Sequence, residues 1–182
     1  SNRFIKKTYF RIATNLGEKI IMKKLIALIL LFVSPSFAID IGQEAPNFSL
    51  KTLDGKDISL EDYRGKTVVL EWFNQDCPFV KKHYKGGDMQ ALQKKYTDKG
   101  VVWLIISSTN KDHKNYVEGA AAKKVRADLS QKSTEFLIDA SGVVGRKYSA
   151  KTTPHMFIID TSGKLVYQGA IESDSSVFGS PR

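Results

Sequence analysis

The run Thr67-Val68-Val69-Leu70-Glu71-Trp72-Phe73 is continuous and β-branched, with no alternation of polar and apolar positions. Such a strand is buried on both faces, so it belongs in the middle of a sheet with helices above and below. It is followed by Asn74-Gln75-Asp76-Cys77-Pro78-Phe79-Val80, where Cys77 is the only cysteine among 182 residues. Pro78 suits the first position of a helix, because its missing amide hydrogen had no partner there. The amides around a helix start carry partial positive charge, which favours a thiolate over a thiol. A lone cysteine is often a small buried apolar residue. The polar approach and the helix start place this one at the end of an element, where a reactive thiol belongs.

Strands alternate with helices along the rest of the chain, the pattern of an α/β domain with a central sheet. Phe48 to Lys51 and Asp57 to Leu60 flank Asp54-Gly55, a hairpin turn. After Cys77, Phe79, Val80 and Tyr84 share one helix face, and Met89, Leu92 and Tyr96 share another. Gly86-Gly87 between them bends or splits the helix, since each glycine costs about 1 kcal/mol there. Val101 to Ile106 is a second buried strand and Tyr116 to Asp128 a further helix. Phe136 to Asp139, a short helix near Val143 to Tyr148, and strands Met156 to Asp160 and Lys164 to Gln168 complete the order. One domain is expected from Ile39 to the end.

Residues 1–38 stand apart from it. Met22-Lys23-Lys24, an apolar run from Leu25 to Val33 and Ser34-Pro35-Ser36-Phe37-Ala38 describe a secretory signal peptide over 22–38, cleaved after Ala38. Its apolar run falls short of the roughly 20 residues that a membrane span needs. Residues 1–21 read as upstream extension. The whole chain has 28 Lys and Arg against 19 Asp and Glu, but residues 39–182 carry 21 against 18. A net +3 argues against nucleic acid as a partner. Export also bears on the thiol: a single cysteine cannot close an internal disulfide, so it stays free, pairs with another molecule, or pairs with a cysteine missing from this chain.

Ala45-Pro46-Asn47-Phe48-Ser49-Leu50, Gly65-Lys66-Thr67-Val68-Val69-Leu70, the cysteine at the strand-to-helix junction, and Thr153-Pro154 before Phe157-Ile158-Ile159-Asp160 together resemble the thioredoxin superfamily. The nearest branch is the peroxiredoxin-like redoxins of the alkyl hydroperoxide reductase and thiol-specific antioxidant family. Cys77-Pro78-Phe79-Val80-Lys81-Lys82-His83-Tyr84 is similar to the Cys-Pro-Phe-Val-Lys-His run of one such subgroup. The resemblance covers about Ile41 to Ile171. It implies a thioredoxin-like α/β fold: a central mixed sheet flanked by helices, an N-terminal β-hairpin, and a C-terminal helix that this sequence truncates.

The resemblance also implies roles. Aligned on Cys-x-x-Cys oxidoreductases, Cys77 matches the second cysteine and Asn74 stands where the first would be. Aligned on peroxiredoxins, Cys77 is the peroxidatic nucleophile and Asn74 replaces the hydroxyl residue that holds it. The arginine that peroxiredoxins place before the Phe-Ile-Ile-Asp strand is Pro154, which instead fits the cis-proline of thioredoxins, with Thr153 before it. Lys81, Lys82 and His83 are expected to add positive potential near the thiol or to form a solvated face. His155, just after Pro154, is expected close to Cys77, where it would accept a proton or sit at the surface, and Asp76 opposes the thiolate. Trp72 matches the aromatic common beside this junction.

The leading expectation is an exported thiol-dependent antioxidant enzyme, with Cys77 attacking a hydroperoxide and an external reductant, a thioredoxin-like protein or small thiol, restoring it. The alternatives are thiol-disulfide exchange through a mixed disulfide with a partner and a degenerate redoxin serving as a binding domain. No cofactor is expected. Cys77, His83 and His155 offer one thiolate and two imidazoles, short of the paired cysteines of copper-carrying thioredoxin-fold proteins. The Lys111 to Lys124 stretch reads as a solvated face.

Overall fold

The structure is a computed structural model that describes residues 39–172; the expected signal segment and the expected C-terminal truncation lie outside the described residues. The elements are β1 (Ser49–Thr52), β2 (Asp57–Ser59), a 3₁₀ turn (Leu60–Tyr63), β3 (Val68–Trp72), α1 (Pro78–Lys85), α2 (Asp88–Thr97), β4 (Val102–Ser107), α3 (Gly119–Asp128), β5 (Glu135–Ile138), α4 (Val143–Lys147), β6 (His155–Ile159) and β7 (Leu165–Gly169). They form one seven-stranded sheet in the order β2-β1-β5-β4-β3-β6-β7. β3, β4 and β5 run parallel, and β1, β2, β6 and β7 add antiparallel pairs on either side.

β3 lies between β4 and β6, and all five of its residues are buried. Period-two alternation divides it between two cores. Val68, Leu70 and Trp72 pack with Leu104, Ile106, Tyr148 and Phe157. Val69 and Phe73 face Ile105, Phe136, Met156 and the apolar sides of α1 and α2, where Val80, Tyr84 and Met89 are buried. Each such aliphatic side chain contributes about 1.5–3 kcal/mol on burial.

The break at Gly86-Gly87 is complete. Gly86 caps α1, and Gly87 starts α2 at φ 85°, a conformation that glycine takes without steric cost. Tyr96 departs from the face expected of it and is 37% exposed, while Gln93 is fully buried in its place. The cause is Glu71. Its carboxylate, fully buried in β3, accepts hydrogen bonds from Tyr84 Oη (2.7 Å), Gln93 Nε2 (3.0 Å) and Trp103 Nε1 (2.8 Å). A buried carboxylate demands donors, so α2 turns a glutamine inward at the position one turn after Met89.

Two other elements differ from expectation. α3 begins at Gly119, not Tyr116, because Gly119 takes φ 52° and the chain cannot be helical through it. The 3₁₀ turn was not expected; Ser59 and Asp62 close a capping box around it, the Ser59 amide donating to Asp62 Oδ2 at 2.7 Å.

Burial pushes the Glu71 carboxyl above its ordinary range, while its three donors pull it down; burial is the larger effect. The folded state therefore holds this proton to higher pH than the unfolded chain, and stability is lost as pH rises through the interval between the two values. The unfolding free energy of the wild type relative to Glu71→Gln is expected to fall as pH rises above the ordinary glutamic acid range, by no more than ~1.4 kcal/mol per pH unit. Urea titrations at several pH values check this, and a difference that stays flat or rises rejects it.

Candidate active site

Cys77 is the N-cap of α1, with Pro78 at the first helical position. The turn that delivers it is built by Asn74: its carbonyl accepts the Cys77 amide at 3.1 Å, and its side-chain Oδ1 accepts the Asp76 amide at 2.9 Å. The Cys77 carbonyl accepts the Lys81 amide at 2.9 Å, opening the helix. The thiol is partly buried, and Sγ donates to the carbonyl of Thr153 at 2.9 Å. The Thr153–Pro154 bond is cis, and Pro154 is buried. Cys77, Thr153 and Pro154 thus come together, although 76 residues separate the thiol from its acceptor.

The remaining expected residues are placed differently. Asn74 is a turn-forming residue whose side chain is engaged by the Asp76 amide rather than by the thiol. Lys81 pairs with Asp76 at 3.2 Å on the surface, so the two charges beside the site offset one another. Lys82 and His83 form neither a solvated face nor a positive patch at the thiol. The Lys82 side chain is 5% exposed and ion-paired with Glu172, and His83 Nε2 lies 3.4 Å from the same carboxylate. Burial lowers the His83 pKa against the pull of Glu172, which favours the uncharged ring. The spacing of α1 accounts for this, because residues 82 and 83 point away from the face on which the helix begins.

Trp72 is fixed by packing and one hydrogen bond. Its ring lies 5.0 Å from Phe157 and 5.4 Å from Tyr148. Its Nε1 donates to Ser108 Oγ at 3.0 Å, and Ser108 donates to Asp139 Oδ2 at 2.6 Å. Asp139 also accepts the amides of Gly145 (2.9 Å) and Val144 (3.4 Å) at the start of α4. Ser108 and Asp139 were not singled out in the sequence; serine and aspartate at the ends of consecutive parallel strands were the available cue. α4 approaches closely here, and a Cβ on Gly145 would come within 2.9 Å of Ser108 Oγ and 3.3 Å of Trp72 Nε1. Gly145→Ala is expected to cost about 1–3 kcal/mol in urea unfolding; an unchanged midpoint and slope would show that the strand ends yield without loss.

His155 stands opposite Trp72 in the β3–β6 pairing, and its ring packs 4.5 Å from Phe157. Its Nδ1 accepts the Lys151 amide at 3.3 Å. Burial and the nearby Lys151 lower its pKa. Among the described residues no three of His, Cys, Asp and Glu group to hold a metal.

The site also fixes which half of a dithiol motif Cys77 represents. In a Cys-x-x-Cys pair the reactive thiol sits at the helix N-terminus. That place is Cys77, and the position three residues on is Val80, fully buried in the first turn. Asn74 lies before the helix, so the alignment of Asn74 with the first cysteine does not hold.

A thiol at the start of the helix that follows a central strand, against a cis-proline loop of the same sheet, defines a thiol oxidoreductase of thioredoxin fold. The chain belongs to the AhpC/TSA family, whose pattern matches residues 41–168. It is 34% identical over 125 residues to the thioredoxin-like protein YneN of Bacillus subtilis, covering 68% of each chain. It is 31% identical over 139 residues to the thiol-disulfide oxidoreductase ResA of Bacillus cereus, covering 75% of this chain and 73% of that one. Among solved structures, a conserved protein from Geobacillus kaustophilus superposes with a TM-score of 0.71 at 29% identity, over 79% of this chain and 76% of that one.

If Val80 occupies the second-thiol position, Val80→Cys creates a dithiol in the first turn of α1. Under oxidised glutathione this variant is expected to lose both free thiols with no added mass, whereas the parent gains a glutathione adduct. Persistence of two adducts on the variant would reject the assignment.

Proposed function

We propose that this protein is an exported oxidoreductase that exchanges the Cys77 thiol with disulfides, forming a mixed disulfide with its partner. The observation that supports it most is the pairing of a helix N-cap thiol with the Thr153 carbonyl, which sets any group bonded to Sγ against the cis-proline loop. In the exchange, the Cys77 proton passes to solvent and the thiolate sulfur attacks one sulfur of the disulfide. A new S–S bond forms as the old one breaks, the leaving sulfur departs as thiolate, and the two electrons lost by Cys77 reside on it. With one cysteine in these 182 residues, release needs a thiol from outside them, such as a second thiol of the partner, a thioredoxin-like protein or a small thiol. Export is inferred from the signal pattern over 22–38. Among the described residues no helix is long and apolar enough to cross a membrane.

Hydroperoxide reduction is the second reading, favoured by family membership and the Cys-Pro-Phe-Val-Lys run. Against it stand Pro154 in place of the expected arginine and an Asn74 side chain occupied by the turn. The two readings are separated by rates. Wild-type protein is expected to take up a cystine-containing peptide as one adduct per chain, released by dithiothreitol, faster than equimolar hydrogen peroxide converts Cys77 to sulfenate. Cys77→Ser is expected to form no adduct. Faster oxidation by peroxide, with no adduct, would transfer the assignment to the peroxidase reading.

A further inference from the structure

The segment Lys151-Thr152-Thr153-Pro154 enters β6 and carries the carbonyl that receives the thiol hydrogen. Besides the burial of Pro154, few hydrogen bonds hold it. Lys151 and Thr152 are exposed, and Pro154 has no amide to donate. The preceding Ala150 amide is already committed to the Gly145 carbonyl. Among the described residues, the Lys151 amide bond to His155 Nδ1 is the one hydrogen bond that ties the loop to the strand, and Cys77 Sγ to Thr153 is its hydrogen bond to α1. The anchor itself is firm: His155 begins β6 opposite Trp72 and packs on Phe157.

His155 does not share the thiol's surroundings. Phe157 and Trp72 belong to the core on one side of the sheet, and Cys77 packs against the core on the other. Any effect of His155 on the thiol therefore passes through the loop. We propose that His155 is a positioning residue that latches the 151–154 loop through the Lys151 amide, so that the Thr153 carbonyl fixes Cys77 for attack on a disulfide.

An Nδ1 that accepts is a ring whose hydrogen is on Nε2. Protonation would set an Nδ1 hydrogen against the Lys151 amide, two donors facing each other, and the latch would open. Lys151 is the charge that acts on His155; the residues packed on it from the strands, Trp72 and Phe157, carry none. The latch is thus closed at neutral pH and lost as pH falls.

The proposal rests on Cys77 as the exchanging thiol, but its test does not need the natural partner. Two anionic reagents of different bulk are compared on the full chain between pH 5 and 8: 5,5′-dithiobis(2-nitrobenzoate), which must lie across the loop, and iodoacetate, which need not. Their rate ratio cancels thiol ionisation, and hydrogen exchange of the Lys151 amide reads the latch directly. His155→Leu is expected to lose Lys151 protection and to lower the ratio about tenfold, the equivalent of one hydrogen bond. His155→Asn, whose Oδ1 can accept as Nδ1 does, is expected to keep both within about twofold. The wild-type ratio is expected to fall with pH and the asparagine variant's to stay flat. An unchanged ratio or intact protection in His155→Leu, or an asparagine variant that behaves like leucine, overturns the proposal. A wild type that passes these tests but forms no adduct with peptide disulfides loses the exchange function while the latch stands.

Discussion

The Glu71 carboxylate is the constraint around which the sheet and its first two helices are arranged. It sits in the strand that both cores share, and its three donors come from three elements: Tyr84 from α1, Gln93 from α2 and Trp103 from β4. Gln93 also donates to Tyr84 Oη at 2.8 Å and accepts the Lys132 amide at 2.8 Å, which carries the network to the approach of β5. A buried acid is a poor source of net stability, yet removing one member leaves costly unpaired groups. The network therefore specifies geometry more than it adds energy. α1 has one rotation that brings Tyr84 to the carboxylate, and that rotation turns residues 82 and 83 away from the thiol.

On the opposite face a second polar chain, Trp72-Ser108-Asp139, ties the ends of β3, β4 and β5 to the start of α4. The active end of the sheet is thus pinned from both sides while the thiol stays at the margin between them. Cys77 is held by backbone: a turn from Asn74, a helix bond to Lys81 and the Thr153 carbonyl. Side chains near it in sequence are spent on other partners. This explains how the fold can keep its reactive end while the residues flanking the cysteine depart from those of peroxiredoxins.

Most of the fold was legible because it rests on local patterns. The doubly buried β3, the Asp54-Gly55 hairpin and the Gly86-Gly87 break follow from periodicity and backbone preference. Where the reading failed, a long-range polar demand had overridden the pattern. Tyr96 fits an apolar helix face by spacing, but Glu71 required an amide at position 93. Lys81, Lys82 and His83 look like one basic cluster in sequence, whereas a helix distributes them around its axis and Glu172 claims two of them. The cysteine and the Thr153-Pro154 loop were found together only through resemblance to a family, since nothing local relates residues so far apart. His155 was expected beside the thiol, but it packs with Phe157 on the other side of the sheet, and its bond to Lys151 depends on loop geometry that no spacing encodes.

Val80 has a consequence that concerns time. A buried valine in the first turn of α1 gives Cys77 no second thiol one turn along the helix, so under the proposed exchange the release of a covalent complex depends on a thiol from elsewhere. The lifetime of that complex would then be set by how soon such a thiol arrives. Under that proposal the fraction of molecules carrying an adduct would follow the supply of reductant around them, which would make the occupied state a record of redox conditions.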